Sequence, residues 1–385
     1  MTVNALESGQ RTSPNLLYTD IENHLRSSVG DLLSDRCPAT AVLARCETDK
    51  PYDLELWRTL AADVGAAALL IPEEQGGHGS TAREAAVVLE ELGRHIAPVP
   101  FLGSAVLATT TLLGAGPGAE VAGLLAALAA GESTGTLGVP LSTAPGSAFP
   151  AGVEVTGGGL SGRLTSVADV LVADLLVVPV IGPDGPELHA VRTADPGVTV
   201  TPVVSLDLTR PIGDVTLSGA GSTRLAGPDR AEAALRSALL TGAGLLASEQ
   251  LGIAEWCLAS TVGYLKERKQ FGRVVGGFQA LKHRMADIWE QLVLARAAAR
   301  YAADTLATGD PDLRVAVSVA QSLCASVAVY AAEECIQLHG GIGMTWEHPA
   351  HLYLKRAKAD EIALGTPAQH RALLAPLVDL PGPAV

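Results

Sequence analysis

The chain has 385 residues, which is enough for two or three domains with a large buried core. Hydrophobic residues make up 48% of it and charged residues 18%, a balance that indicates an ordered globular protein. The formal net charge of −14 argues against nucleic acid or an anionic membrane surface as a general partner. A polyanionic small molecule would therefore need a local basic site.

The five cysteines are scattered, without a C-x-x-C pair or metal-ligand spacing to histidine, so we expect no metal site. An odd, scattered set of thiols suits a reducing cytosol. Residues 1–15 lack the apolar core of a signal peptide, and runs such as residues 121–130 are too short to span a bilayer. We therefore expect a cytoplasmic protein without membrane insertion.

Residues 16–134 are predicted to form an N-terminal all-α domain. Thr19 with Glu22 and Thr81 with Glu84 have the spacing of capping boxes, which predicts a helix after each threonine. A row of hydrophobic helices joined by short loops favours a bundle. Further helices are predicted for residues 54–64, 101–113 and 119–130.

The pattern changes in residues 135–228, which are predicted to form a small middle β-domain. Glycine and proline are dense there, and the apolar runs are short and rich in valine, as in strands joined by tight turns. The predicted strands are residues 153–155, 171–180, 188–191, 198–204 and 214–217.

Residues 229–380 return to a helical pattern and are predicted to form a C-terminal four-helix bundle. Asp310 as N-cap, with Pro311 at the first helical position, predicts the start of the third helix. The predicted fold class is therefore α+β multidomain. The other predicted helices are residues 230–265, a one-sided helix from residue 281, and residues 349–364.

The stretch of residues 264–284 concentrates basic side chains in this acidic chain. It reads YLKERKQFGRVVGGFQALKHR, with a single acid, Glu267, and with glycine breaks at Gly272 and at Gly276. A basic, glycine-broken turn between two helices is suited to hold a phosphate-bearing ligand. Charge alone favours a solvated turn between helices.

Three motifs, in this order, resemble those of the acyl-CoA dehydrogenase family. I-P-E-E-Q-G-G from Ile71 resembles an N-terminal loop of the family. R-K-Q-F-G-R from Arg268, followed by F-Q-A, resembles its flavin-contacting turn, and Q-L-H-G-G-I-G-M from Gln337 resembles its second flavin loop. The resemblance covers nearly the whole chain, and it is strongest to the actinobacterial branch, in which paired subunits act on sterol side chains or branched acyl chains.

The resemblance implies FAD-dependent α,β-dehydrogenation of an acyl-CoA thioester, with an electron-transfer protein as acceptor. In this family the turn and the glycine loop reach the flavin of a neighbouring subunit, which implies a dimer or a tetramer. Arginine offers a planar fork to phosphate, and glycine lets backbone N–H groups approach it. The implied cofactor-binding residues are Arg268, Gln270, Phe271, Gly272, Gln279, Gln337, Gly340 and Gly341.

The chain departs from the family pattern at the catalytic base. The family glutamate stands just before a Gly-Thr pair, where this chain has Leu364, and leucine cannot accept a proton. A minority of the family places the base on the first helix of the C-terminal bundle, at or near Gly242 here. The nearest carboxylate, Glu249, lies ~10 Å further along that helix and is a weak candidate. The catalytic base of this chain is therefore left unknown.

The middle domain departs as well. Residues 139–147 read VPLSTAPGS where the family carries a T-E-P-x-x-G-S-type loop, and residues 161–174 contain no aromatic residue to lie against a flavin. Contacts to a subunit's own flavin are missing, whereas contacts to a neighbour's flavin are kept. The leading hypothesis is the glutamate-lacking partner in a heterotetramer with two copies of each subunit. The alternatives are a self-sufficient homotetrameric dehydrogenase that uses Glu249, and a flavin-free structural or regulatory subunit.

Overall fold

The computed structural model describes Pro14 and residues 16–380. Both predicted capping boxes are present: Glu22 N–H donates to Thr19 Oγ1 at 3.2 Å, and Thr19 N–H donates to the Glu22 carboxylate at 2.6 Å. The Thr81 box repeats this reciprocal pattern with Glu84. Each box opens a helix of the N-terminal region, as predicted. The helices of that region are α1 Asp20–Arg36, α2 Ala39–Cys46, α3 Leu54–Arg58, α4 Ala82–His95, α5 Thr109–Ala115 and α6 Ala119–Ala129.

In the N-terminal region two predicted helices are partly π-helical, and one helix was missed. The turn Thr59–Asp63 continues α3, and Phe101–Ala108 leads into α5, so both predicted segments are helical with a wider hydrogen-bond pattern. Helix α2 was not predicted, because its eight residues are too few to establish a helical period.

The middle region forms one sheet in the order β6-β7-β3-β2-β4-β5-β8, with β1 parallel to β4. Neighbouring strands pair antiparallel, except that β2 and β1 run parallel to β4. Its strands are β1 Gly135–Leu137, β2 Val153–Thr156, β3 Gly159–Ala168, β4 Leu175–Gly182, β5 Gly185–Arg192, β6 Val198–Val203, β7 Ile212–Ala220 and β8 Thr223–Ala226.

The strand prediction was incomplete. Strands β1, β3 and β8 were missed, and the predicted strand 171–180 begins only at Leu175, because Val170–Val172 is a 3-10 turn. Strand β3 carries few apolar residues and is interrupted by a bulge at Ser166, whose φ is +52°. Such a strand lacks the regular alternation on which the prediction depended.

The C-terminal region packs four long helices and one short one. Helix α9 begins at Leu313, not at Asp310, so the predicted N-cap is wrong: the Asp310 carboxylate instead accepts from Asp312 N–H at 2.7 Å, in the turn before the helix. Helix α11, opened by a capping box at Thr366, was not predicted. The helices are α7 Ala231–Glu267, α8 Gln279–Thr308, α9 Leu313–His339, α10 Ala350–Ile362 and α11 Pro367–Leu374.

One apolar core joins the helices of the N-terminal and C-terminal regions, and a second core lies within the sheet. This confirms the predicted fold class: an N-terminal helical region, a middle β region and a C-terminal helical bundle. The segment Leu313–Met344 is long and apolar enough to cross a membrane, but 67% of its most apolar window is buried inside the fold, as in the core helix of a soluble protein.

Candidate functional site

A short hairpin follows α7 and presents an aromatic side chain. Strands β9 Lys269–Gln270 and β10 Arg273–Val274 pair antiparallel around Phe271 and Gly272, whose φ angles are +53° and +73°. Two positive φ angles in a two-residue loop are those of a type I′ turn, which is unfavourable for phenylalanine. Nevertheless Phe271 is 89% exposed, so its ring is displayed at the hairpin tip instead of being buried in a core.

The glycine loop begins where α9 ends. Gly340 has a φ of +65°, and residues Gly340–Met344 form a 3-10 turn. A methyl group added at Gly340 or Gly341 would meet nothing within 4 Å, so this backbone faces open space. Backbone N–H groups without a Cβ beside them can approach a phosphate closely.

The hairpin and the glycine loop border one cleft of about 450 Å³. Arg268 and Gln270 line it from the hairpin side, and Gly340 and Gly341 line it from the loop side. Four of the eight predicted cofactor-binding residues are therefore brought together. Two further lining residues, Tyr264 and His339, stack with their ring centroids 4.6 Å apart. Tyr264 begins the basic stretch and His339 belongs to the glycine-loop motif, but neither was predicted as a site residue, because stacking across helices leaves no pattern in the sequence.

The remaining predicted residues lie around this cleft and are exposed. Phe271 and Gly272 form the hairpin tip, Gln279 is the first residue of α8, and Gln337 lies in the last turn of α9. Within the described part of the chain, the Arg268 guanidinium takes part in no ion pair or hydrogen bond through its side chain. The site thus offers an unneutralised cation and open backbone N–H groups. These groups fit the diphosphate of a flavin dinucleotide.

The two positions where the family places its base meet in space. Leu364 is fully buried, and its Cδ1 would lie 2.9 Å from a methyl group added at Gly242 on α7. Leu107 Cδ2 would lie 2.6 Å from the same methyl group. Hydrocarbon therefore fills the position from both sides, and none of these three residues can accept a proton.

The segment of residues 139–147 is packed onto this same position. Leu141 N–H donates to the carbonyl of Ser166 in β3 at 3.0 Å, and the Leu141 carbonyl accepts from Leu364 N–H at 2.7 Å. Further along, a methyl group at Gly146 would lie 2.6 Å from Leu373 Cδ2 on α11. The backbone of this segment thus bridges the sheet and the C-terminal bundle where a subunit's own flavin would be expected. That side does not fit the cofactor.

Glu249, the weak base candidate, is locked in a buried ion network. Its oxygens accept from Arg356 Nε at 2.7 Å and from Arg210 Nη2 at 2.5 Å, and its side chain is 1% exposed. Burial raises its pKa, but the two arginines outweigh burial and hold the pKa of Glu249 below its ordinary value. Both oxygens are occupied by guanidinium groups, and the lowered pKa makes the carboxylate a weak base, which speaks against a role in removing a substrate proton.

The same network joins three regions of the fold. Arg210 Nη1 also donates to Asp360 on α10 at 2.6 Å, and Arg356 Nη1 lies 3.3 Å from Asp207. Asp207 and Arg210 belong to the segment between β6 and β7, so the network ties the sheet to α7 and α10. Nothing in the sequence singled these residues out, because they are far apart along the chain.

Comparisons with known proteins give the family. Residues 19–132 match the model of the acyl-CoA dehydrogenase N-terminal domain, and residues 233–377 match that of the C-terminal domain. The chain is 36% identical to acyl-CoA dehydrogenase IpdE2 of Mycolicibacterium smegmatis, over 90% of this chain and 94% of that protein. It is 37% identical to IpdE2 of Mycobacterium tuberculosis, over 90% of this chain and 93% of that protein.

Solved structures agree. A variant of the Tcur3481-Tcur3483 steroid ACAD is 29% identical with a TM-score of 0.82, covering 94% of this chain and 98% of that chain. The ChsE4-ChsE5 complex from Mycobacterium tuberculosis is 29% identical with a TM-score of 0.83, covering 96% of this chain and all of that chain (100%). This protein belongs to the acyl-CoA dehydrogenase family, whose members are oxidoreductases.

Proposed function

We propose that the chain is the glutamate-lacking subunit of a heteromeric acyl-CoA dehydrogenase with two copies of each subunit. The observation that carries the proposal is the contact between Leu364 and Gly242, which leaves both family base positions filled with hydrocarbon. The related partner subunit supplies the glutamate and the complete flavin loop. The complex then forms an α,β-double bond in an acyl-CoA, and an electron-transfer protein reoxidises the complex.

In this proposal the chain contributes one wall of the partner's cofactor site. FAD, when bound, accepts the hydride in this family. Arg268 binds phosphate oxygens through two N–H groups, and the backbone at Gly340 and Gly341 donates to the same diphosphate. Phe271 covers an apolar part of the cofactor and excludes water from it. None of these groups moves a proton, so proton removal from the substrate belongs to the partner.

A bulky acyl group, sterol-derived or branched, is the substrate class we propose. Support comes from the similar structures, one of which is named a steroid ACAD and one of which is a complex of two different chains. The packing of residues 139–147 onto Leu364 also supports a complex of two unlike subunits with different roles, because a homomer of this chain would lack an open flavin site.

The test is flavin loading of the chain alone and of the chain co-expressed with a candidate partner of the same family. We expect the chain alone to be colourless and the complex to bind one FAD per pair of unlike subunits. In the complex, Arg268→Ala should weaken FAD binding by about tenfold or more, because it removes charge-assisted hydrogen bonds. Lys266→Ala, on the exposed last turn of α7, is the matched control and should leave FAD binding unchanged.

Three results would reject the proposal. Full flavin loading with turnover by the chain alone would favour the self-sufficient enzyme. A colourless complex, or a partner equally active without this chain, would favour a flavin-free structural or regulatory subunit.

A further inference from the structure

A separate cavity of about 300 Å³ lies where residues 139–147 meet α7, α9 and α11. It is distinct from the cleft at Arg268, since the two share no lining residue. Its apolar walls come from Leu240 of α7, Leu373 of α11 and Leu377. The volume is at the small end of the range for ligand pockets, which is too little for a dinucleotide.

A buried hydroxyl lines this cavity without a partner. Ser318 on α9 is 4% exposed, and its hydroxyl makes no hydrogen bond within the described residues. The Ser318 oxygen is not one of the fully buried atoms without a partner, so it keeps surface that a molecule in the cavity can reach. Ser318 can therefore donate a hydrogen bond to an oxygen-bearing group inside the cavity.

The charges of the cavity are one-sided. Arg314, one turn before Ser318 on α9, makes no ion pair or hydrogen bond with its side chain in the part of the chain that the structure describes. Arg236 on α7 also lines the cavity and shares its charge with Glu232, 2.6 Å away on the surface of the same helix. Among the described residues, no side chain that lines the cavity is a carboxylate. The cavity thus offers guanidinium groups at one side and aliphatic carbon at the other.

His370 closes the inner wall as a neutral ring. It is fully buried, and Nε2 donates to the Leu364 carbonyl at 2.9 Å, which leaves Nδ1 as an unprotonated acceptor. Burial outweighs this hydrogen bond and lowers the pKa of His370 below its ordinary value. The ring therefore adds no charge, and the binding of an anion here depends on the two arginines.

We propose that this cavity binds a small monocarboxylate with a compact apolar body. The carboxylate oxygens accept from Arg314 and from the Ser318 hydroxyl, and the apolar body packs against Leu240 and Leu373. A bare phosphate would leave the aliphatic wall without a partner, and coenzyme A is too large for the volume. This site is separate from the residues that the chain offers to a partner's flavin, and its occupancy does not depend on them.

A bound carboxylate would touch α7, α9 and α11 at once. Since it binds only the folded chain, it would raise the melting temperature in a saturable way. Its binding would also hold α11 against residues 139–147, where Gly146 packs on Leu373.

The test uses cyclohexanecarboxylate with the full-length chain, by isothermal titration calorimetry and by thermal melting. We expect saturable binding, weakened about tenfold or more by Arg314→Gln, because the change removes a charge-assisted hydrogen bond. Ser318→Ala should weaken binding by a smaller factor. Arg371→Gln, an exposed cation on α11 that does not line the cavity, is the matched control and should change nothing.

Three outcomes would overturn the assignment. They are no saturable binding by the wild-type chain, equal weakening by Arg371→Gln, and tighter binding of inorganic phosphate or coenzyme A with displacement of the carboxylate. Because every measurement uses the chain without flavin or partner, a negative result leaves the proposed function untouched.

Discussion

Leu364 packs directly against the backbone of Gly242, so that a methyl group there would lie 2.9 Å from Leu364 Cδ1. Leu364 lies between α10 and α11, and Gly242 lies in the first third of α7. In the family these are alternative positions of one catalytic group, and in this chain they are in contact with each other. The position has become part of the hydrophobic core.

Gly242→Ala tests this packing. Alanine favours a helix over glycine by about 1 kcal/mol, but overpacking a full core costs about 1–3 kcal/mol. We therefore expect a net loss in the free energy of unfolding, measured by urea denaturation. Gly263→Ala is the matched control on the same helix, since a methyl group there meets nothing within 4 Å, and it should stabilise the chain by about 1 kcal/mol.

The double variant Gly242→Ala with Leu364→Ala sharpens this test. Removing the leucine side chain makes room for the new methyl group, so the two changes should destabilise less together than the sum of their separate effects. Strict additivity would show that the two positions are not in contact.

Glu249→Gln should lower the stability of the fold and leave the catalytic reaction of the complex unchanged. The change removes one negative charge from a buried network and leaves Arg210 and Arg356 undercompensated, which costs about 3–5 kcal/mol. The melting temperature should therefore drop sharply. Flavin binding and turnover of the complex, measured well below the melting temperature, should remain. Wild-type stability together with lost turnover would restore Glu249 as a base.

Asp360 gives the chain a pH-dependent stability. Burial and the neighbouring Glu249 charge outweigh the two arginines and raise its pKa to about 8, and its Oδ2 has no partner among the described residues. The folded chain therefore keeps a proton that the unfolded chain loses near its ordinary pKa of 3.8. The contribution of this group to stability is full at low pH and is lost as the pH rises towards 8.

Asp360→Asn should remove that dependence. Urea unfolding at about pH 5 and about pH 8 should show a smaller loss of stability with pH than in the wild type, by at most about 1.4 kcal/mol per pH unit. Glu361→Gln, which removes the neighbouring carboxylate that contacts Lys358 at the surface, serves as control. An unchanged pH profile in Asp360→Asn would mean that Asp360 is ionised in the folded chain.

Much of the fold could be predicted because its signals are local. The capping boxes at Thr19 and Thr81 and the regular apolar spacing of α8 depend on residues a few positions apart. Strand β3 was not predicted because its conformation depends on pairing with β7 and β2, which a local sequence pattern does not reveal. The N-cap of α9 was misplaced by two positions, since it is Asp312, and Asp310 is used in a turn that precedes the helix.

The candidate site also has parts with local sequence signals and parts without them. The hairpin at Phe271 and the loop at Gly340 are short backbone motifs that local runs of sequence could indicate, and their role as a cofactor site stays a prediction. The network of Arg210, Glu249 and Arg356 and the cavity at Ser318 bring together residues from separate regions of the chain. Only the tertiary structure places them in contact, and no periodicity or motif marks them.

Phe271→Asn separates the role of the side chain from that of the turn. Asparagine tolerates positive φ better than phenylalanine does, and Phe271 is 89% exposed, so the melting temperature of the chain should stay the same or rise slightly. FAD binding by the complex should nevertheless weaken, because the aromatic face is lost. Phe271→Tyr keeps the ring and is the matched control. If Phe271→Asn bound FAD as tightly as the wild type, the ring would have no part in the cofactor site.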